Sequence, residues 1–156
     1  MIYRYFYDFP IGEVGIAETD GKISHVYFAD TTNKPKNAEV KETELIKRAE
    51  SQLREYFAGK RTEFDLPLTF EGTNFQMSAW KALCAIPYGE VRSYKEQAIA
   101  VGNIKACRAV GMANNRNPIS IIIPCHRVVG SSGKLVGYGG GLPTKEHLLE
   151  LEKKRA

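Results

Sequence analysis

The segment from 117 to 130 reads Asn117-Pro118-Ile119-Ser120-Ile121-Ile122-Ile123-Pro124-Cys125-His126-Arg127-Val128-Val129-Gly130. Its β-branched residues favour a buried strand, and Pro124 ends that strand because proline has no backbone donor. A nucleophile, a candidate base and a fixed positive charge follow immediately. Burying Cys, His and Arg together is costly unless these groups are paired. The segment therefore predicts a reactive site at the end of a buried strand.

Length and composition are those of an ordinary globular protein. The 156 residues suffice for one domain or two small ones, and the 43% hydrophobic and 26% charged contents are typical. Three cysteines without a signal-peptide pattern indicate a reducing compartment, so we expect a cytoplasmic protein. The apolar runs are too short to span a bilayer, so no membrane partner is expected. Scattered histidines without Cys-x-x-Cys argue against a metal site.

Charge is distributed unevenly along the chain. Residues 1–70 carry 10 Lys/Arg against 12 Asp/Glu, a net charge of −2, whereas residues 71–156 carry 12 against 6, a net charge of +6. Between Gly72 and Leu142, Glu90 and Glu96 are the only acids against eight basic residues. This imbalance favours an anionic partner for the second half, most commonly a nucleic acid, although a solvated basic face has the same charge.

The first 70 residues predict a small α/β domain. Asp20-Gly21 is a hairpin signal, and a helix is expected from about Lys41 to Ala58, ended by Gly59. Because no chemical constellation occurs there, we predict a scaffold domain over residues 1–70, built from a small antiparallel sheet plus a helix. Its strands are expected at Ile2–Phe9, Gly12–Thr19 and Lys22–Ala29.

Residues 71–156 predict a mostly helical second domain. Thr73 and Ser93 each begin a capping-box pattern, and the helices that follow end near Pro87 and Gly102. A third helix, roughly Ile104–Asn114, follows a short turn, so the last two helices form a helix-turn-helix candidate. Such pairs also occur as plain packing motifs. The basic character of this half makes a nucleic-acid role the better interpretation.

The third helix has unusual side chains for a DNA-reading helix. Small residues dominate it, and long polar base readers are missing from its middle. A helix of small residues can lie close to a backbone or in a narrow groove, so we predict recognition of shape rather than of sequence. The small residues are Ala106, Ala109, Gly111 and Ala113, whereas Lys105, Arg108 and Met112 share a face.

A glycine-rich loop and a last helix complete the chain. The loop 137–141 contains Tyr138 and could lie over a flat ligand or simply precede the helix. The helix, from Pro143 to about Lys153, places Glu152 on the same face as Leu148. A buried carboxylate needs a partner, for which His126 and Arg127 are both candidates.

Cys125, His126 and Glu152 form a candidate catalytic relay. A thiol is a strong nucleophile near neutral pH if a positive neighbour lowers its pKa, and His126 could act directly or through a water. Glu152 could fix the tautomer of the histidine. For Cys125 alone, an inert core cysteine is the alternative. Cys84 and Cys107 lie in helical runs without such neighbours, so we predict that they are small buried or lining residues.

Further motifs of the second half are Ile86-Pro87-Tyr88-Gly89, Ser93-Tyr94, Arg108-Ala109-Val110-Gly111, Asn117-Pro118, Ile123-Pro124-Cys125-His126-Arg127-Val128, Gly137-Tyr138 with Gly140-Gly141-Leu142, and Leu148-Leu149 with Leu151-Glu152. In this order they resemble the O6-alkylguanine-DNA alkyltransferases (methylated-DNA–protein-cysteine methyltransferases). The resemblance covers about residues 72–152 continuously and the first part more loosely. It implies a ribonuclease H-like first domain and a winged-helix-like second domain, here residues 71–156.

The resemblance implies a role for each residue of the active site. Cys125 would accept an alkyl group in an in-line displacement at the carbon bound to guanine O6. His126 would take the thiol proton through a water, and Glu152 would orient His126. Tyr94 would assist the leaving guanine and the rotation of its nucleotide, and Asn117 would brace the helix-turn-helix. The implied reaction is irreversible, occurs once per molecule and needs no cofactor or metal.

The resemblance also implies how DNA is held. Arg108 would enter the minor groove and fill the gap left by the flipped nucleotide, stacking on neighbouring bases. The partner would be double-stranded DNA containing O6-alkylguanine, bound by a monomer, at the nucleoid of a prokaryote or in the nucleus of a eukaryote. The resemblance further implies that Val128, Tyr138 and Gly139 surround the guanine. Along the DNA we expect Tyr94 and Arg108, together with Lys105, Ala106, Ala109 and Gly111 of the third helix.

Three other functions fit parts of the pattern. A lesion-binding module that does not transfer the alkyl group would lack Cys125. A cysteine hydrolase using Cys125 and His126 would release product over many cycles, and a helix-turn-helix regulator would prefer one DNA sequence over a lesion. Gly139 replaces a serine of some relatives, and residues 114–116 are more polar and basic than in many, so both could alter pocket size and substrate range.

Overall fold

The computed structural model describes residues 1–29, 31 and 33–155 and divides the chain into two compact units. The first contains Met1–Phe70 together with Pro118–Ile122, and the second contains Glu71–Asn117 and the chain from Ile123 onward. The segment Pro118–Ile122 therefore departs from the continuous second domain expected over residues 71–156. It belongs to the first unit because Val26 donates its N–H to the Pro118 carbonyl (3.0 Å) and accepts from the Ser120 N–H (2.9 Å).

A four-stranded sheet forms the first unit, and its strands are β1 Ile2–Phe9, β2 Gly12–Thr19, β3 Lys22–Phe28 and β4 Glu39–Val40. They lie in the order β3-β2-β1-β4. The turn between β2 and β3 is the expected hairpin, because Asp20 and Gly21 have φ of 51° and 81°, as a two-residue turn of this kind requires. The sheet departs from the expected antiparallel form at its edge, where β4 pairs with β1 in parallel.

One helix, α1 (Glu44–Phe57), packs on this sheet. It begins later than the expected Lys41 because the Thr43 side chain accepts from the Ile46 N–H and caps the helix there. Gly59, with a φ of 73°, follows its end. The apolar stripe that faces the sheet consists of Ile46, Ala49, Leu53 and Tyr56, all fully buried.

The second unit is mostly helical. Its helices are α2 Asn74–Cys84, α3 Tyr94–Ala100, α4 Cys107–Asn115 and α5 Leu142–Arg155, and the short strands β5 Arg92–Ser93 and β6 Val128–Val129 pair in parallel. Both expected capping boxes are present: Thr73 with Gln76 opens α2, and Ser93 with Glu96 opens α3. The helix α4 starts at Cys107 rather than Ile104, because the Asn103 side chain accepts from the Lys105 N–H and holds a turn before it.

The apolar run before Cys125 is not the expected strand. Ile119 makes one isolated bridge to Val26, and Ile121 has a φ of 73°, which no strand residue adopts. The run therefore turns between Pro118 and Pro124 while its isoleucines at 119, 121 and 123 stay buried. Within the part of the chain that the structure describes, no helix combines the length and apolarity needed to cross a membrane.

Candidate active site

Cys125 begins a single 3-10 turn, Cys125–Arg127, that leads into β6. Its N–H donates to the Ile123 carbonyl (2.8 Å), and the side chain is nearly buried. The buried Asn117 amide donates to that same carbonyl (2.7 Å) and also hydrogen-bonds the Cys125 thiol. Asn117 therefore joins the end of the helix-turn-helix segment to the loop that carries the thiol.

His126 and Glu152 are both buried, at 0% and 1% exposed, and they hydrogen-bond each other. The distance between His126 Nε2 and Glu152 Oε2 is 2.7 Å. With Nε2 donating to the carboxylate, the neutral ring carries its lone pair on Nδ1, and this buried Nδ1 has no hydrogen-bond partner among the described residues. Burial lowers the pKa of His126 although Glu152 opposes that effect. His126 therefore stays neutral near pH 7, with Nδ1 able to accept a proton.

Arg127 is the second partner of Glu152. Its Nε donates to Oε1 (2.8 Å) and its Nη2 to Oε2 (3.1 Å), while Nη1 donates to the Ile86 carbonyl (2.7 Å). Burial raises the pKa of the Glu152 carboxyl, but the hydrogen bonds and charges of His126 and Arg127 outweigh burial and lower that pKa to about 2. Glu152, which was expected to face inward on the last helix, thus pairs with both His126 and Arg127.

Lys145 is an active-site residue that the sequence reasoning missed. Its ammonium group is fully buried and donates to the carbonyls of Val128 (2.6 Å), Val136 (2.9 Å) and Gly137 (3.2 Å). It thereby ties the strand after Cys125 to the loop 134–141. The available signal was its helical spacing, because Lys145 lies three residues before Leu148 and seven before Glu152, on the inward face.

The Cys125 thiol departs from the expectation of a lowered pKa. Burial raises its pKa, against the hydrogen bond from Asn117 and the charge of Lys145, which lower it. The resting thiol is therefore protonated near pH 7, because burial disfavours the charged form more than these two groups favour it. A nucleophilic thiolate requires the loss of this proton, and the buried Nδ1 of His126, which has no hydrogen-bond partner among the described residues, is able to accept one.

Two tyrosines lie near the thiol. The Tyr94 hydroxyl donates to the Val136 carbonyl (3.0 Å), and burial together with the Cys125 charge raises its pKa. Burial and the charges of Cys125 and Glu152 hold the pKa of Tyr138 well above its ordinary value. Both phenols therefore keep their protons near pH 7. Val128 is fully buried, whereas Gly139 is exposed on the loop.

A cavity of about 520 Å³ opens beside Tyr94. Ammonium and hydroxyl groups line it, which suits an anionic ligand. Its lining consists of Ser93, Tyr94, Lys95, Cys107, Gly130, Ser131, Lys134 and Val136.

The outer face of α4 carries the residues expected to meet DNA. Lys105, Arg108 and Ala109 are exposed on or just before this helix. Gly111 is half-buried, and a Cβ there would lie 3.6 Å from the Tyr94 ring. Ala106 does not belong to this face: it precedes the helix at the N-cap position and is only 7% exposed, so its methyl group points inward.

The remaining cysteines differ in exposure. Cys84 was expected to be a buried or lining residue, but it is exposed at the end of α2. Cys107 is half-buried and lines the cavity beside Tyr94, as expected. Within the described part of the chain, no group of three or more His, Cys, Asp or Glu side chains could hold a metal ion.

A buried cysteine, a histidine–carboxylate pair and a basic helix-turn-helix thus occur in one unit, and they define a DNA-acting protein with a nucleophilic cysteine. Two family models match the chain. The ribonuclease-like domain of 6-O-methylguanine DNA methyltransferase matches residues 2–70, and the DNA binding domain of the same protein matches residues 74–154. The chain therefore belongs to the 6-O-methylguanine DNA methyltransferase family.

Individual relatives are similar over nearly their whole length. A methylated-DNA–protein-cysteine methyltransferase of Methanosarcina barkeri is 51% identical over 146 residues, which cover 92% of each chain. One from Mycobacterium bovis is 48% identical over 157 residues, covering 100% of this chain and 95% of the relative. The structure of Mycobacterium tuberculosis OGT in complex with DNA matches with a TM-score of 0.92 at 47% identity, covering 99% of this chain and 94% of that one. These likenesses confirm the expected fold class.

Proposed function

We propose that this chain repairs DNA by direct reversal: it moves an alkyl group, such as methyl, from guanine O6 in double-stranded DNA to Cys125. The observation that carries this assignment is the buried thiol next to a His126–Glu152 pair whose Nδ1 is unpaired among the described residues. Family membership and the similar chains support the reaction class.

The transfer is one in-line displacement. Sulfur forms a bond to the alkyl carbon as the carbon–O6 bond breaks, and the electron pair of that bond leaves with the guanine. His126 Nδ1 takes the thiol proton, directly or through one water, and Glu152 stabilises the imidazolium that forms. Tyr94 turns its hydroxyl from the Val136 carbonyl to the leaving guanine and donates a proton to it. The proton held by the His126 imidazolium then returns to the Tyr94 phenolate through solvent, so that the thiol proton is balanced by the proton gained by guanine.

The product is a thioether, which water does not hydrolyse near neutral pH. Each molecule therefore reacts once, and no cofactor takes part in the balance of atoms and charge. The guanidinium of Arg108 on the outer face of α4 fills the space of the nucleotide that rotates out of the duplex. The protein acts as a monomer on the minor groove, in the compartment that holds the DNA.

Intact mass tests the acceptor. After mixing with a duplex that contains one O6-methylguanine, we expect a single added methyl group on the peptide with Cys125. Cys84→Ser is the matched control, because Cys84 is an exposed thiol of the same unit and its loss should leave the transfer unchanged. A Cys125→Ser protein that still demethylates the duplex, or a wild-type protein without the adduct, would refute the assignment.

Arg108→Ala tests the DNA-binding role. We expect a much slower reaction with methylated duplex and an unchanged reaction with free O6-benzylguanine, since the free base needs no rotation out of a helix. Lys105→Ala is the control for a simple phosphate contact. This variant should lower the slope of log binding constant against log salt concentration by about 1. Equal losses of Arg108→Ala on both substrates would contradict the proposed role.

A further inference from the structure

Two side-chain amides are buried between the helices of the second unit. Gln97 of α3 is 2% exposed and Asn114 of α4 is 7% exposed. Gln97 Nε2 donates to Asn114 Oδ1, and Asn114 Nδ2 donates to Gln97 Oε1, each over 2.8 Å. Gln97 Nε2 also donates to the Ala79 carbonyl of α2 (3.3 Å), so this amide joins three helices.

A reciprocal amide pair restricts geometry more than apolar packing does. Both hydrogen bonds keep good length and direction only at one offset and one rotation of α3 against α4. Apolar side chains of the same size would allow the two helices to slide, and buried polar pairs are best known for fixing such a register. The pair between Gln97 and Asn114 therefore fixes how α4 lies on α3.

The last turn of α4 holds a further polar contact. Trp80 Nε1 of α2 donates to the Ala113 carbonyl over 2.8 Å. At the other end, Ala106 precedes the first turn and provides no side-chain cap. The polar side-chain contacts between α4 and the other helices thus lie near its C-terminus, whereas Arg108 lies near its N-terminus.

A small tilt of α4 about its last turn would therefore displace Arg108. Arg108 lies six residues before Asn114, about 9 Å along the helix axis at a rise of about 1.5 Å per residue. A tilt of about 10° around the last turn would move Arg108 by about 1.5 Å over this distance. Misplacement of a positioning group by about 1 Å can lower a rate about 100-fold.

We propose that Gln97 and Asn114 are positioning residues that hold α4, and through it Arg108, in the direction that reaction with double-stranded DNA requires. The inference rests on the proposed function of Arg108. Residues 114–116 are more polar than in many relatives, and the inference explains Asn114 by the packing of α4 on α3 rather than by the substrate pocket. Transfer from a free alkylated base does not depend on this pair, because such a substrate does not meet Arg108.

The test replaces both amides by apolar side chains of similar size, Gln97→Met with Asn114→Leu. We expect the rate with free O6-benzylguanine to stay within about twofold of wild type and the rate with methylated duplex to fall about tenfold or more. Gln52→Met is the matched control, because Gln52 is a buried amide of the first unit that bonds Asp65 and should leave both rates unchanged.

A double-mutant cycle with Arg108→Ala separates positioning from stability. If the amide pair acts through Arg108, then Arg108→Ala slows duplex repair in the wild type but adds little to the Met/Leu variant. Additive losses, an unchanged duplex rate or equal losses on the free base would overturn the inference. Should the double variant not fold, Gln97→Met alone enters the same cycle and is judged by the same outcomes. A wild type that takes up no methyl group refutes the proposed function, whereas normal uptake with additive losses refutes only this role.

Discussion

Glu152→Gln should destabilise the second unit by about 3 kcal/mol near pH 7. The pKa of Glu152 falls from its ordinary value of 4.5 to about 2, and one pKa unit corresponds to about 1.4 kcal/mol. Removing one partner of a buried ion pair independently suggests about 3–5 kcal/mol, because Arg127 would remain charged without a counter-ion. The glutamine keeps an acceptor oxygen, so the lower value is expected.

The single tryptophan provides the assay. Trp80 lies in the same unit as Glu152, so its fluorescence follows the unfolding of that unit in urea. With a slope of about 1–3 kcal/mol per molar urea, the midpoint should fall by about 1 to 3 M. Glu150→Gln is the control, because Glu150 is an exposed acid of the same helix.

The pH dependence gives a second criterion. A lowered carboxyl pKa contributes stability that is present above the unfolded-state value and lost as the pH falls through the folded-state value. The difference in the free energy of unfolding between wild type and Glu152→Gln should therefore disappear as the pH falls from about 4.5 to about 2. A midpoint that shifts no more than in Glu150→Gln, or a gap that persists at the acid end, would refute the reasoning.

Other outcomes follow from single contacts. Lys145→Met should slow the reaction of Cys125 with free O6-benzylguanine by about tenfold, because it removes three hydrogen bonds and a charge that lowers the thiol pKa; an unchanged rate by intact mass would contradict this. The same rate should be nearly constant above about pH 7 and fall only below about pH 6.5, since burial lowers the pKa of His126; a continued tenfold rise per pH unit would instead indicate a thiol that ionises without His126. Gly15→Ala should cost about 1–3 kcal/mol in thermal unfolding followed by circular dichroism, because its Cβ would lie 2.5 Å from the Tyr27 ring; an unaltered transition would contradict that packing.

The helix starts at the two capping boxes and the turn between β2 and β3 could be predicted because their signals are local. The boxes that begin at Thr73 and Ser93 need a partner three residues away, and both form as expected. Asp20 and Gly21 turn the chain within two residues. By contrast, the β-branched run before Cys125 indicated a strand, since composition does not report the positive φ of Ile121.

Contacts between distant residues could be predicted only in part. Helical spacing indicates that Glu152 faces inward, but it does not decide between His126 and Arg127, and the structure gives Glu152 both. Lys145 has the same inward spacing, but lysines ordinarily lie at the surface. The three carbonyls that accept from its ammonium group are known only from the structure. The raised pKa of Cys125 likewise depends on burial, which adjacency to a histidine does not reveal.

The discontinuous first unit has a consequence for synthesis on the ribosome. β3 is an edge strand, and its Val26 pairs with Pro118 and Ser120. Translation at about 5–20 residues per second needs about 3 to 10 s to supply the roughly 50 residues after Phe70 that complete this edge. Until then β3 is covered at Ile23, which pairs with Pro67 and Thr69, but its Val26 end offers open hydrogen-bonding groups that can pair with another chain. The peptide that closes this edge is the one that leads into the Cys125 loop, so the nascent sheet is protected only shortly before the reactive thiol is made.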